Sequence, residues 1–183
     1  MISLPFRRTP RDPSIRALYG MIVAQARSPV FYRDYGVPDT VPARLDMIML
    51  HLVLVLRRLR GAAGSLPAAG QDLFDLFCVD MDDNFREMGV GDLKVPKEMQ
   101  RVGEAFYGRA RAYDAALDGD DPAALAAALA RNVLGSAEVT LGARRLAAYM
   151  RAAASELAVQ AIGPAELAAL KFPAPESIAA DAA

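Results

Sequence analysis

The sequence predicts an all-α fold, a single helical domain of about six helices. Three features carry this. Apolar residues recur at i, i+3, i+4 and i+7 along most of the chain, the spacing of one buried helix face. No stretch shows the strict alternation of a half-buried strand. The chain has 183 residues, 54% hydrophobic and 23% charged, which suits one domain with a sizeable core.

The elements follow in order. Residues 1–12 form a basic, flexible N-terminus, with Arg7, Arg8 and Arg11 interrupted by Pro5 and Pro10. Asp12-Pro13 opens the first helix, Asp as cap and Pro where a missing N–H costs nothing. Ile15, Leu18, Tyr19, Ile22, Val23 and Ala26 form its buried face, and Pro29 ends it. Residues 30–43 are expected to be an aromatic-rich loop carrying Phe31, Tyr32 and Tyr35, open to two roles, a flap over the core or a recognition surface. The second helix, 43–60, is apolar nearly all round and should be the most buried, with Arg44, His51 and Arg58 a polar stripe along it. Gly61 to Gly70 is the clearest linker.

The third helix, 71–88, sets Phe74, Phe77, Cys78, Met81, Phe85 and Met88 against an acidic face of Asp72, Asp75, Asp82 and Asp83. Gly89 suits the left-handed position after it. The fourth helix, 96–117, contains Gly103 and Gly108, expected to admit close backbone approach. Asp121-Pro122 then opens an Ala-rich part, 23 alanines in the last 63 residues, with helices at 122–132 and 138–161. Helical packing is expected over 13–162, and a loosely ordered tail over 163–183.

Composition narrows the function. Lys and Arg total 21 against 22 Asp and Glu, which argues against direct DNA binding. One Cys excludes an internal disulfide, and one His excludes paired-His metal sites. The longest apolar stretch, Leu45 to Leu56, is interrupted by Asp46 and His51 and falls short of the ~20 residues a membrane span needs. With no signal sequence visible, a cytoplasmic protein is expected, peripheral at most at the inner membrane. Charge is segregated: residues 1–60 sum to +6, residues 61–100 to −5 and the remainder to −2.

No catalytic constellation emerges. His51 lies mid-helix among apolar neighbours, Cys78 sits on an apolar face, and no GxSxG occurs. His51 reads as a hydrogen-bonded interface histidine, with haem or metal ligation as the alternative. The aspartates at 80, 82 and 83 lack the calcium-loop spacing, and Gly89 to Lys94 lacks the Gly-Lys-Ser/Thr ending of a phosphate loop. The acidic cluster is left with two roles: partner binding, or pairing with Arg44 and Arg58.

Several stretches taken in order are more specific than any of these motifs. They are Leu18 to Arg27, Phe31-Tyr32, Gly36 to Thr40, Arg44-Leu45-Asp46, Leu50-His51, Leu56 to Leu59, Asp80-Met81-Asp82, Arg86 to Leu93 and Ala105 to Arg109. Over roughly residues 14–150 the chain resembles the ubiquinol–cytochrome c chaperone family, assembly factors for cytochrome b of the bc1 complex. It departs from the family at Leu45, where Phe is expected, and at Glu98 and Gln100, where basic residues are expected.

The resemblance implies a helical, non-catalytic chaperone that needs no cofactor and binds cytochrome b. Mitochondrial members act with a small partner protein near the ribosome exit; lacking their leader, this chain looks bacterial, and its need for such a partner stays open. Peripheral contact with a ribosome or membrane surface is a secondary expectation. Client or partner contacts are expected at Phe31, Tyr32, Tyr35, Asp39, Asp80, Asp82, Arg86, Glu87, Asp92, Tyr107 and Arg109. The rival is a helical carrier or enzyme for an apolar ligand, such as a quinone or tetrapyrrole, held near His51 and the loop aromatics.

Overall fold

The computed structural model describes residues 12–178 apart from 63 and 65; the basic N-terminus, Asp12 excepted, lies outside the described residues. Among those described there are seven α-helices and two short 3-10 turns, and no strand. The helices are α1 (Pro13–Ala26), α2 (Pro29–Asp34), α3 (Val41–Arg60), α4 (Leu66–Glu87), α5 (Val95–Asp118), α6 (Pro122–Asn132) and α7 (Leu141–Val159).

The starts are built by short polar side chains. Asp12, Thr40, Asp121 and Thr140 each accept a hydrogen bond from a first-turn N–H of the helix they precede, which satisfies a donor the helix itself leaves open. The added helix, α2, corrects the expectation of a continuous loop over 30–43. Pro29 ends α1, but after Ser28 it also stands at the first turn of α2, where Pro is favoured. α4 likewise starts inside the expected linker. Its Gly70 is buried against Leu56 and Leu59 of α3, so the helix crosses there at close range.

Burial organises the rest around α3. Met47 through Val55 are all buried, as are Ala43 and Leu59, so this helix has no wet face through its middle. α1, α4, α5 and α7 pack on it, and α6 bridges α5 and α7. Ion pairs join α3 to α5, half-buried for Asp46 with Arg109 at 2.7 Å and Arg57 with Asp114 at 3.2 Å, and with one exposed partner for Arg57 with Asp118 and Arg60 with Asp114 at 2.9 Å. Arg58 donates to the carbonyls of Leu157 and Gln160, placing a cation at the negative end of α7. Gly89, with φ +81°, reverses the chain after α4 as expected, while Val90 donates to the Phe85 carbonyl at 3.0 Å.

Residues from 163 onward, expected to hang loosely, return to the helical body as far as they are described. Leu167, Leu170 and Pro175 are buried, and the 3-10 turn Leu167–Ala169 packs on α1. Apolar spacing alone does not register this segment, because its anchors are isolated residues between prolines and alanines.

The glycines divide sharply. A Cβ at Gly142 would run into the Tyr35 carbonyl, whereas at Gly103 and Gly108 nothing lies within 4 Å. The expectation that Gly103 and Gly108 admit another backbone is therefore wrong, and Gly142 serves that purpose instead. Gly142→Ala should lower unfolding free energy by about 1–3 kcal/mol, the usual cost of overpacking. Gly103→Ala should raise it by about 0.4–1 kcal/mol through helix propensity and unfolded-state entropy. Urea denaturation of the two variants checks both signs.

Candidate functional site

His51 stands where α1, α3, α7 and the C-terminal segment meet. It is completely buried, and both ring nitrogens are engaged: Nδ1 with the Met47 carbonyl at 2.7 Å, Nε2 with the Tyr149 hydroxyl at 2.9 Å. A carbonyl only accepts, so Nδ1 carries the proton and Nε2 accepts from the Tyr149 O–H. The Tyr149 oxygen in turn accepts from the Gln25 amide at 3.0 Å, and the same amide donates to the Pro173 carbonyl at 3.1 Å. Burial holds the imidazole pKa down to about 4, so the ring is neutral at physiological pH. Phe31 and Phe172 stand edge-on to it, with ring centroids 5.6 and 4.8 Å away. The space where a quinone or tetrapyrrole was envisaged is filled by these side chains.

The other reactive groups are quiet. Burial pushes the Cys78 thiol up to about 11, which disfavours the thiolate a nucleophile requires. Burial also raises the Asp46 carboxyl to about 6 against the pull of Arg109. No group of three His, Cys, Asp or Glu among the described residues is placed to hold a metal ion.

The residues expected to contact a client scatter into three settings. Phe31 and Tyr35 are fully buried, Tyr35 donating to the Pro175 carbonyl at 2.6 Å and lying under the Arg145 guanidinium at 4.4 Å. They cover the core, the first of the two roles open to them, and Tyr32 is half-buried with its hydroxyl on the Ala26 carbonyl. Arg109 is also turned inward, onto Asp46. Asp80 accepts from Tyr19 at 2.7 Å, tying α4 to α1.

The second setting is the end of α4. Arg86 pairs with Asp82 at 2.7 Å and with Asp92, and Glu87 is exposed beside them. The pairing anticipated with Arg44 and Arg58 does not occur: Arg44 holds Asp39, and Arg58 caps α7. Third, Tyr107 is 60% exposed on α5 with its ring against Phe74 and Phe106. The same hairpin exposes Leu93 at 98% and Met88 at 56%; Met88, expected on the apolar face of the third helix, lies just past the end of α4 at Glu87 and turns outward instead. Gln25, Tyr149 and Phe172 were missed. One signal existed, since Tyr149 is the lone aromatic between Tyr113 and Phe172.

Fold and site thus define an all-helical protein whose buried polar groups join its helices and whose α4–α5 hairpin exposes Met88, Leu93 and Tyr107, with Val41, Leu141 and Val159 exposed singly elsewhere. Residues 33–169 match the family model described as ubiquinol-cytochrome C chaperone. The structure is similar to the crystal structure of the Cbp3 homolog from Brucella abortus, with 39% sequence identity and a TM-score of 0.81, over 91% of this chain and 92% of that one. No curated protein matches the chain. This protein belongs to the ubiquinol–cytochrome c chaperone family.

Two consequences of the buried imidazole are measurable. His51→Ala should cost about 1–3 kcal/mol, because the Tyr149 hydroxyl loses its acceptor inside the core. On acidification the unfolded chain protonates His51 near pH 6.5 while the folded chain resists down to about pH 4. Stability from this group is therefore complete above pH 6.5 and falls as pH drops toward 4, by on the order of 3 kcal/mol. Asp46, with its pKa raised, acts in the opposite direction over much of that range. The wild-type advantage over His51→Gln, measured by denaturation at pH 7, 6, 5 and 4, isolates the histidine and should shrink steadily.

Proposed function

We propose that the protein is a non-enzymatic assembly chaperone for the ubiquinol–cytochrome c reductase complex, with newly made cytochrome b as its client. Family membership over residues 33–169 carries this, and the likeness to the Cbp3 homolog supports it. The chemistry is compatible. Cytochrome b is a membrane protein of apolar helices and polar connecting loops, and its chaperone must offer apolar contact and charge without being a membrane span itself. No helix among the described residues is long and apolar enough to cross a membrane.

The client surface we assign is the α4–α5 hairpin. Met88, Leu93 and Tyr107 are exposed there, and Asp82, Arg86, Glu87 and Asp92 frame its tip. Asp39 and Tyr32 lie elsewhere, beside a surface cleft of about 440 Å³ also lined by Arg27, Arg33 and Arg44. The basic excess of residues 1–60 supports peripheral contact with an anionic membrane or ribosome surface, at about 1 kcal/mol per basic residue near such a surface.

Deleting the gene should lower assembled bc1 complex and cytochrome b while sparing other respiratory complexes; normal bc1 levels would sink the assignment. The surface has its own test. Met88→Asp with Leu93→Asp changes exposed positions, so stability should move by less than about 0.5 kcal/mol each. Affinity capture of cytochrome b from membranes of the native host should fall severalfold. Unchanged capture by the folded double variant would move the client surface elsewhere.

A further inference from the structure

The segment Leu170–Ile178, of sequence LKFPAPESI, begins just past the residues matched by the family model. It lies across the helical body as a strap. Among the described residues, every hydrogen bond between body and strap ends on the main chain of the strap. Gln160 exchanges two with Lys171, at 2.8 and 2.9 Å. Gln25 donates to the Pro173 carbonyl, Tyr35 to the Pro175 carbonyl and Arg145 to the Ile178 carbonyl at 3.2 Å. Lys171, Ala174, Glu176 and Ser177 are exposed, so these four of the nine strap side chains are not read at all. The apolar anchors are Leu170 and Pro175, both buried, with Phe172 against His51 and Ile178 packed on the core.

Proline lacks an N–H, and a chain rich in it needs donors for its carbonyls but few acceptors. The seat beyond Gln160 supplies only donors: an amide, a hydroxyl and a guanidinium. Leu170 and Ala174 have the dihedrals of extended polyproline-like chain, φ −57° ψ 142° and φ −64° ψ 124°, before the strap tightens into the 3-10 turn Pro175–Ser177. The donors are held in place beforehand, Gln25 by Tyr149 and His51, Tyr35 by the Arg145 guanidinium above its ring. The seat also runs on into a cleft of about 410 Å³ lined by Asp34, Tyr35, Leu134, Leu141, Gly142 and Arg145. There Arg145 Nε is buried without a hydrogen-bond partner among the described residues.

We propose that this seat is a peptide-binding groove, that Leu170–Ile178 is its resident occupant, and that a proline-containing segment of another polypeptide, extended and then turning at its second proline as the strap does, displaces it. Recognition through main-chain carbonyls tolerates different side chains at the exposed positions, provided that the segment follows the strap's path and places apolar side chains where Leu170, Phe172, Pro175 and Ile178 sit. The strap then acts as an internal competitor, which lowers apparent affinity by the fraction of time it is seated.

A labelled synthetic peptide LKFPAPESI, titrated into the full-length chain and followed by fluorescence anisotropy, tests this without any natural client. Failure would therefore leave the assembly function untouched. Binding to the wild-type chain should be weak. Phe172→Ala loosens the strap and leaves the groove intact, so the peptide should bind that chain at least tenfold more tightly. Adding Gln25→Ala and Tyr35→Phe should abolish the gain, and a peptide with Ala at both proline positions should bind less well. In the unaltered protein, amides of residues 171–178 should exchange hydrogen well before those of α3. No peptide binding by a folded Phe172→Ala chain overturns the proposal. So does a strap that exchanges only with global unfolding, or a Phe172→Ala chain that dimerises and excludes the peptide, which would give the groove to a second copy.

Discussion

A neutral histidine buried at the centre of α3 sets the terms for everything packed around it. An imidazole placed there without partners would cost several kcal/mol, so each ring nitrogen must be answered. Met47, one turn back, answers Nδ1 within the same helix, and this fixes the tautomer. Nε2 must then be answered from another element, which obliges α7 to bring Tyr149 to that one position. Tyr149 is answered by Gln25 of α1, and Gln25 reaches the strap. One buried polar group thereby fixes the relative placement of three helices and the C-terminal segment, in a core whose other contacts are mostly apolar and less exacting about register.

The charged groups act at the edge of this core and are weaker individually. The pairs between α3 and α5 are part-exposed, and such pairs are commonly worth up to about 1 kcal/mol each. Their use lies in geometry: Arg57 and Arg60 can meet Asp114 and Asp118 only when α5 runs alongside α3 at one height. The charge segregation of the chain is therefore spent only in part on internal pairing. At the end of α4, Arg86 pairs with Asp82 of the same helix and with Asp92 beyond it. That leaves the hairpin tip with an apolar pair and charged surroundings, a combination common in surfaces that meet a partner.

Assembly chaperones must bind without trapping. The body here is rigid where its rings interlock, Phe31 with Tyr35, His51 and Tyr149 at 4.8–5.6 Å, and its apolar offerings are few. Met88, Leu93 and Tyr107 are separate projections from a polar hairpin, and modest contacts of this kind favour release. The strap adds a second kind of contact, directional and addressed to main chain, on another part of the molecule.

Much of this was legible in the residues. Helical spacing, the Asp-Pro starts at 12 and 121, the buried course of the helix holding His51 and the reversal at Gly89 each depend on neighbours within a turn or two. Local chemistry decides such features, and the family wording from Leu18 to Arg109 follows from them. Ser28-Pro29 was misjudged because Pro both stops one helix and starts the next, and only the path of the chain shows which. Tertiary structure alone decided that Phe31, Tyr35 and Arg109 face inward, that Tyr149 completes His51 across 98 residues, and that residues 163–178 come home to the core. Each depends on a partner distant in sequence, and no periodicity encodes which distant groups meet once the apolar faces have closed.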